Sequence, residues 1–181
     1  MATDSFDRDK FSRLVHYVIC KAGNKPGFGA TKLNKVLWFA EARHYMLTGK
    51  PITGETYIRQ KYGPVPKDIR SVTADLKDRG LIQIFDPKQE YEGRRFRAIG
   101  PSPNIDIFSN QEIEAVDSWT KIISEDHTAK SISEESHDYA WEIAKMGEEL
   151  PLYALRTSLF RDPTDAEMIR IREKVKKLGL N

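Results

Sequence analysis

Four histidines, one cysteine and a serine–histidine neighbour pair are the residues with nucleophilic or acid–base chemistry to offer: His16, His44, His127, His137, Cys20 and Ser136. His16 and Cys20 stand four apart in a helical pattern, the minimum geometry for a thiol and its base. Cys20 lies beside an apolar stripe, where thiols pack as small hydrophobes, and no third group follows to orient the imidazole. The pair reads as structural. Ser136 and His137 are adjacent, and neighbours on a helix point about 100° apart, so they cannot form a dyad with each other. Glu134 and Glu135 read as a charged helix start, and His137 as a hydrogen-bonded structural histidine. No two histidines have metal-ligand spacing on a helix. Gly23, Gly27 and Gly29 lack the Lys–Ser/Thr ending of a phosphate loop, and there is no Gly-x-Ser-x-Gly elbow. A single cysteine excludes an internal disulfide and a thiolate zinc site. The expectation is a binding protein without catalytic residues, cofactor or metal.

Composition sets the next bound. With 181 residues, 39% hydrophobic and 31% charged, the chain suits one folded domain with a sizeable core. The longest apolar run, Val36 to Ala40, is far short of a membrane span, and Asp4 to Lys10 is mixed in charge where a secretory signal would be basic and then apolar. A cytoplasmic protein is expected. Net charge is only +2, yet residues 1–100 carry 19 Lys and Arg against 11 Asp and Glu, and residues 101–181 carry 10 against 16. A basic mixed α/β half thus precedes an acidic helical half. Such polarity suits steering toward an anionic partner, nucleic acid or acidic protein, or solvated faces that merely differ in sign.

The elements follow from periodicity. Phe11, Leu14, Val15, Val18, Ile19 and Ala22 have helical spacing, and the glycines from Gly23 to Gly29 end that helix. Leu33, Val36, Leu37, Ala40 and His44 mark a second helix, capped by Thr31 and closed by Gly49. Tyr57 to Gln60 reads as a strand and Gly63-Pro64-Val65-Pro66 as the turn that ends it. Pro66 opens a third helix whose buried face is Ile69, Val72, Thr73 and Leu76, with Gly80 as its stop. Leu81–Phe85 and Arg94–Ile99 read as strands joined by a turn over residues 86–93. Gly100 to Asn104 is a stiff linker and the best subdomain boundary. Beyond it, Ser109 and Glu112 form a capping box for a helix carrying Ile113, Val116, Trp119, Ile122 and Ile123. A further helix, capped by Ser131 or Ser133, runs past Ser136, His137 and Trp141. A second capping box, Thr164 with Glu167, begins a last helix with the stripe Met168, Ile171, Val175 and Leu178, able to dock on the core or to meet a partner.

The run from Thr31 to Pro66 also resembles a known family. Thr-Lys-Leu-Asn-Lys, an aromatic pair before Ala40, His44-Tyr45, a Gly-x-Pro-Ile turn, the strand Tyr57 and Gly-Pro-Val-Pro together look like the Panacea domain of SocA-like antitoxins, also called phage-associated proteins. Ser136-His137 followed by Trp141 extends the resemblance to about residue 145. Trp38 stands where that family usually has Tyr, and Glu41 where it has Asp. The resemblance implies a small intracellular protein that neutralises a cognate toxin by binding it.

Residues and resemblance together give an α+β chain, mainly helical, with about six helices and a small antiparallel sheet that includes a hairpin after a helix. It reads as a single domain over 1–181. The expected partner-binding face comprises Lys32, Lys35, Tyr57, Lys61 and Tyr62, with aromatics as anchors and lysines as steering charges. Trp38, Phe39 and His44 form the core behind it. The order helix, strand, basic turn, strand also resembles the second half of a winged helix. A DNA-binding regulator or autorepressor using Arg70, Lys77, Arg94, Arg95 and Arg97 is therefore the alternative, although Asp68, Asp75 and Asp78 on the same helix would repel phosphates. The sequence also allows a homodimer.

Overall fold

A helix buried most of the way round its circumference must lie at the centre of a fold, and α2 (Ala30–Thr48) is that helix. The computed structural model describes residues 5–89, 93–158 and 165–177. Leu33, Val36, Leu37, Trp38 and Ala40 of α2 are buried, and so are the polar Lys32, Lys35, Glu41 and His44. Its start differs from the expected Thr31 cap. Gly29 occupies the cap position, and the Ala30 N–H donates to the Arg94 carbonyl at 2.8 Å, so backbone from a distant segment satisfies the helix end. Gly49 closes the helix at φ 78°, as its sequence position predicts.

Ahead of it, α1 (Arg8–Ala22) begins where the Asp7 carboxylate accepts the Lys10 N–H, and it buries Phe11, Leu14, Val15, Val18 and Ile19. After α2 come β1 (Tyr57–Gln60) and β2 (Gly63–Pro66), an antiparallel hairpin in the register Gln60↔Gly63 and Ile58↔Val65. Residues 63–66 are thus a strand where a turn was expected. Antiparallel strands bond to their partner at every second residue. Pro64 and Pro66 occupy the positions that face away from β1, so the ladder loses no donor, and the Lys67 N–H resumes it at the Thr56 carbonyl. The outer side of β1 is paired in turn: the Arg59 N–H donates to the Glu148 carbonyl and the Leu150 N–H to the Tyr57 carbonyl.

Pro66 therefore ends β2, and α3 (Ile69–Asp78) starts three residues later, burying the expected Ile69, Val72, Thr73 and Leu76. A second antiparallel hairpin follows, β3 (Ile82–Phe85) with β4 (Arg95–Ala98). The two hairpins form separate two-stranded sheets rather than one. Part of the turn expected over 86–93, residues 90–92, lies outside the described residues.

Past the linker, α4 (Asn110–Asp126) has the expected Ser109–Glu112 capping box and packs chiefly on α2. Elements from both sides of residues 100–104 share one hydrophobic core. Part of the charge contrast between the halves is satisfied inside the molecule. Lys10 meets Glu112 at 2.7 Å, Lys21 meets Asp117 at 3.0 Å and Lys25 meets Glu125 at 3.3 Å.

The single helix expected around Ser136 is two. α5 (Ala129–Glu135) is capped by Thr128, which exchanges bonds with Ser131, and α6 (Tyr139–Ile143) is capped by Asp138, which accepts the Trp141 N–H at 2.9 Å. A second cap inside the stretch interrupts the helix. α7 (Tyr153–Ser158) and α8 (Asp165–Lys177) complete an α+β, mainly helical chain with eight helices among the described residues. On α8, Ile171 and Val175 are exposed. Thr164 and Leu178, expected to help build that helix's cap and stripe, lie outside the described residues. No described helix is long and apolar enough to cross a membrane.

Candidate partner-binding face

The β1–β2 hairpin is where most of the residues singled out from the sequence converge, because α5 and α6 grip it from one side. The Ser133 hydroxyl donates to the Tyr62 carbonyl at 3.0 Å, and Trp141 Nε1 donates to the Gln60 carbonyl at 3.1 Å. In return Arg59 Nε donates to the Trp141 carbonyl at 2.8 Å while its guanidinium lies 4.2 Å from the centre of the Trp141 ring. His137 stacks on that ring at 3.6 Å, within 6° of parallel. Arg170 of α8 adds a bond to the His137 carbonyl and an ion pair with Glu142, both near 3 Å. Burial, reinforced by Lys35, Arg170 and Arg59, holds the His137 imidazole below its ordinary pKa and therefore neutral at pH 7.

Beneath the hairpin, Lys35 reaches from α2 and donates to the Pro64 carbonyl at 2.8 Å. It is 1% exposed, and burial lowers its amine from 10.5 to about 7. Gly63 is the point of closest approach. A β-carbon there would sit 2.2 Å from the Ser136 hydroxyl and 2.6 Å from Lys35 Nζ, and the backbone has φ 96°. Ser136 itself donates to the Ser133 carbonyl at 2.7 Å. Lysine, serine and histidine are thus brought together, but as packed supports without access for a substrate.

This geometry divides the five residues expected to contact a partner. Lys61 and Tyr62 form the hairpin tip and are exposed, Tyr62 by 59%, with the ammonium 5.4 Å from the ring centre. Lys32, Lys35 and Tyr57, expected on the same face, are buried, so they present little surface for an anchor or a steering charge. Lysine is rarely buried, and here the Pro64 carbonyl receives Lys35. Trp38 and His44 are buried and Phe39 partly so, with Tyr57 packed edge-on against Trp38 at 5.0 Å and Phe39 stacked on Trp119 at 4.6 Å.

An acidic group goes unnoticed in the sequence. Glu41, fully buried, accepts the N–H groups of Ile52 and Thr53 at 2.6 and 2.9 Å and the Thr53 hydroxyl, tying α2 to the turn before β1. Burial raises its pKa against the pull of those donors. Glu55, 5% exposed, is raised by burial to about 7 and accepts the Thr56 N–H. A Gly-flanked turn opposite a lone Glu on an apolar helix face is the signal that could have pointed to it.

On the solvent side of the same hairpin lies a groove of about 610 Å³, formed with α3 and the β3–β4 hairpin. Ile58, Val65, Ile69 and Phe96 line it together with Lys67, Arg70 and Arg94. Of the residues considered for nucleic acid, Arg70 and Lys77 are exposed on α3, and Arg94 pairs with Asp86 at 2.7 Å. Arg95 and Arg97 project from one side of β4 with their guanidinium groups 6.0 and 5.5 Å from the Phe85 ring centre. The exposed side of α3 carries both signs, and its Asp75 is paired with Arg8 at 2.6 Å.

His16 and Cys20 form no nucleophile–base pair. Burial lowers the histidine and raises the thiol, which leaves both in their neutral forms. Among the described residues no group of histidine, cysteine or carboxylate side chains is arranged to hold a metal ion.

The family model described as antitoxin SocA-like, Panacea domain, matches residues 33–142. The matched span begins on α2 and ends at α6, the elements that grip the hairpin. No curated protein and no solved structure matches the chain.

Proposed function

Because this chain belongs to the SocA-like antitoxin family with the Panacea domain, we propose that it neutralises a toxin by stoichiometric contact in the cytoplasm and turns over no substrate. The contact is made by the tip of the β1–β2 hairpin, with Tyr62 as anchor and Lys61 as steering charge. The observation that carries this is mechanical. The hairpin is held from α2, α5, α6 and the 147–150 segment, yet its tip is left open to solvent. A surface ordered before binding has less conformational entropy to lose on association. Lys35 supports that surface from behind through the Pro64 carbonyl, and Tyr57 anchors it to Trp38 of α2.

The test is co-expression with the neighbouring reading frame. That frame should arrest growth alone and be harmless beside the wild-type protein, and Lys61→Glu with Tyr62→Ala should restore arrest while the variant stays soluble and folded. Full protection by the double variant excludes the tip.

A second reading, DNA binding through α3 and the β3–β4 hairpin, is favoured by Arg95 and Arg97. Both are exposed, and among the described residues neither has a carboxylate within ion-pair distance. Titration with a promoter duplex at two salt concentrations decides it. Phosphate binding loses affinity steeply as salt rises, whereas unchanged duplex mobility rejects this reading.

A further inference from the structure

The groove beside the hairpin has a chemistry specific enough to state what fits. Its volume, about 610 Å³, lies in the range of sites that enclose a ligand. Ile58 and Val65, which face each other across the hairpin, and Phe96 from β4 supply an apolar floor. Burying such a surface against water alone gains nothing; burying it against apolar side chains of an incoming chain is favourable.

Three cations border that floor. Lys67 is paired with Glu149 at 3.4 Å and Arg94 with Asp86 at 2.7 Å, but these carboxylates are 64% and 69% exposed. Ion pairs so exposed are weak and are readily exchanged for an incoming carboxylate. Arg70 is exposed beside them. Asn34 of α2 stands in one wall.

We infer that this groove receives an extended acidic segment of the partner polypeptide, its apolar side chains on the floor and its carboxylates on the Lys67, Arg70 and Arg94 border. An extended chain turns alternate side chains to opposite faces, so acidic and apolar residues in alternation satisfy both surfaces at once. A nucleic-acid backbone would meet the cations but leave the floor exposed. A second copy of this chain is disfavoured because Glu112 and Asp117 of its acidic half are already engaged by Lys10 and Lys21 of α1, and Glu125 by Lys25 just after it. The inference deepens the toxin-binding proposal and rests on it for the identity of the partner alone.

The test uses the purified full chain and fluorescein-labelled peptides of about ten residues. One alternates glutamate with leucine, one glutamate with serine and one lysine with leucine. The glutamate–leucine peptide should bind at least about tenfold more tightly than either other. K67E/R70E should abolish that preference at an unchanged melting temperature, and V65E, which leaves the cations in place, should weaken the same peptide. Equal affinity for all three peptides overturns the inference, as does indifference to both variants. So does displacement of the peptide by a short DNA duplex that binds more tightly, or self-association of the chain that K67E/R70E dissolves. Capture of the toxin separates this from the broader proposal. If the groove variants lose the peptide but hold the toxin as the wild type does, the inference falls and toxin binding stands. If the wild type binds the peptide but not the toxin, toxin binding falls and the groove keeps its assignment.

Discussion

The two hairpins of this molecule are alike in length and pairing and opposite in how the fold treats them. β1–β2 and β3–β4 are both antiparallel pairs of four-residue strands. β1–β2 is gripped through its backbone by the side chains of Lys35, Ser133 and Trp141, and its Arg59 lies over the Trp141 ring on which His137 stacks. β4 touches the rest through its Gly29 bridge and the buried Phe96, while Arg95 and Arg97 stay outside. An isolated two-stranded hairpin is marginal in water. The first is therefore made rigid by tertiary contacts, and the second is free to differ in sequence on its outer face. That contrast is the support for the contact role proposed for the first hairpin.

The largest effect should come from matched glycine substitutions. Gly63→Ala forces a side chain into φ 96° and against Ser136 and Lys35, and should cost about 3 kcal/mol or more in urea unfolding. Gly93→Ala, where an added β-carbon meets nothing within 4 Å, should change stability by no more than about 0.5 kcal/mol. Comparable losses at both sites would erase the distinction.

Next is the aromatic clamp. Trp141→Ala removes the stack with His137, the guanidinium contact of Arg59 and the bond to Gln60, and should cost about 3 kcal/mol. Hydrogen exchange should quicken across residues 57–66, whereas Phe85→Ala should quicken it only in the second hairpin.

The third is a pH profile. Folded Lys35 titrates at about 7 and the unfolded side chain near 10.5, so between those values the folded state binds fewer protons and stability rises with pH. Folded Glu55 also titrates at about 7, against about 4.5 unfolded, so between those values the folded state binds more protons and stability falls as pH rises. Each unit of displacement corresponds to about 1.4 kcal/mol. Melting temperature should therefore climb from pH 7 toward pH 10, and Lys35→Met should flatten that climb. Below about 6.5 the lowered histidines His16, His44 and His137 act in the opposite sense to Glu55, because their folded forms resist protonation. The Glu55 limb is accordingly read as the difference between wild type and Glu55→Gln.

The smallest effect belongs to the second hairpin. Arg95→Gln with Arg97→Gln should shift stability by about 0.5 kcal/mol or less and leave toxin capture unchanged. A loss of capture equal to that of the Lys61 and Tyr62 variant would place the contact on both hairpins.

Local rules carried the elements a long way. The apolar spacing in α1 and α3, Gly49 as a stop, the Ser109–Glu112 box and the β3–β4 pair were legible because each depends on residues a few positions apart. Of the residues expected on a contact face, only Lys61 and Tyr62 are exposed. Lys35 and Tyr57 are types that usually reach water, and nothing near them in sequence says that the Pro64 carbonyl takes the ammonium or that Trp38 covers the ring. Glu41 was read only as a departure from a family pattern, because its partners at Ile52 and Thr53 matter only once the turn folds back over α2.

The sequence by itself determined most of the longer helices, several of the glycines that stop them, and the antitoxin family to which the chain belongs, since these reside in short-range stereochemistry and in a contiguous motif. Tertiary structure alone decided that residues 63–66 are a strand, that one expected helix is two, that Lys35 is buried and that an apolar groove bordered by cations opens beside the hairpin. Each of those depends on which backbone and side-chain groups from distant segments remove one another from water, and that is fixed only when the chain closes on itself.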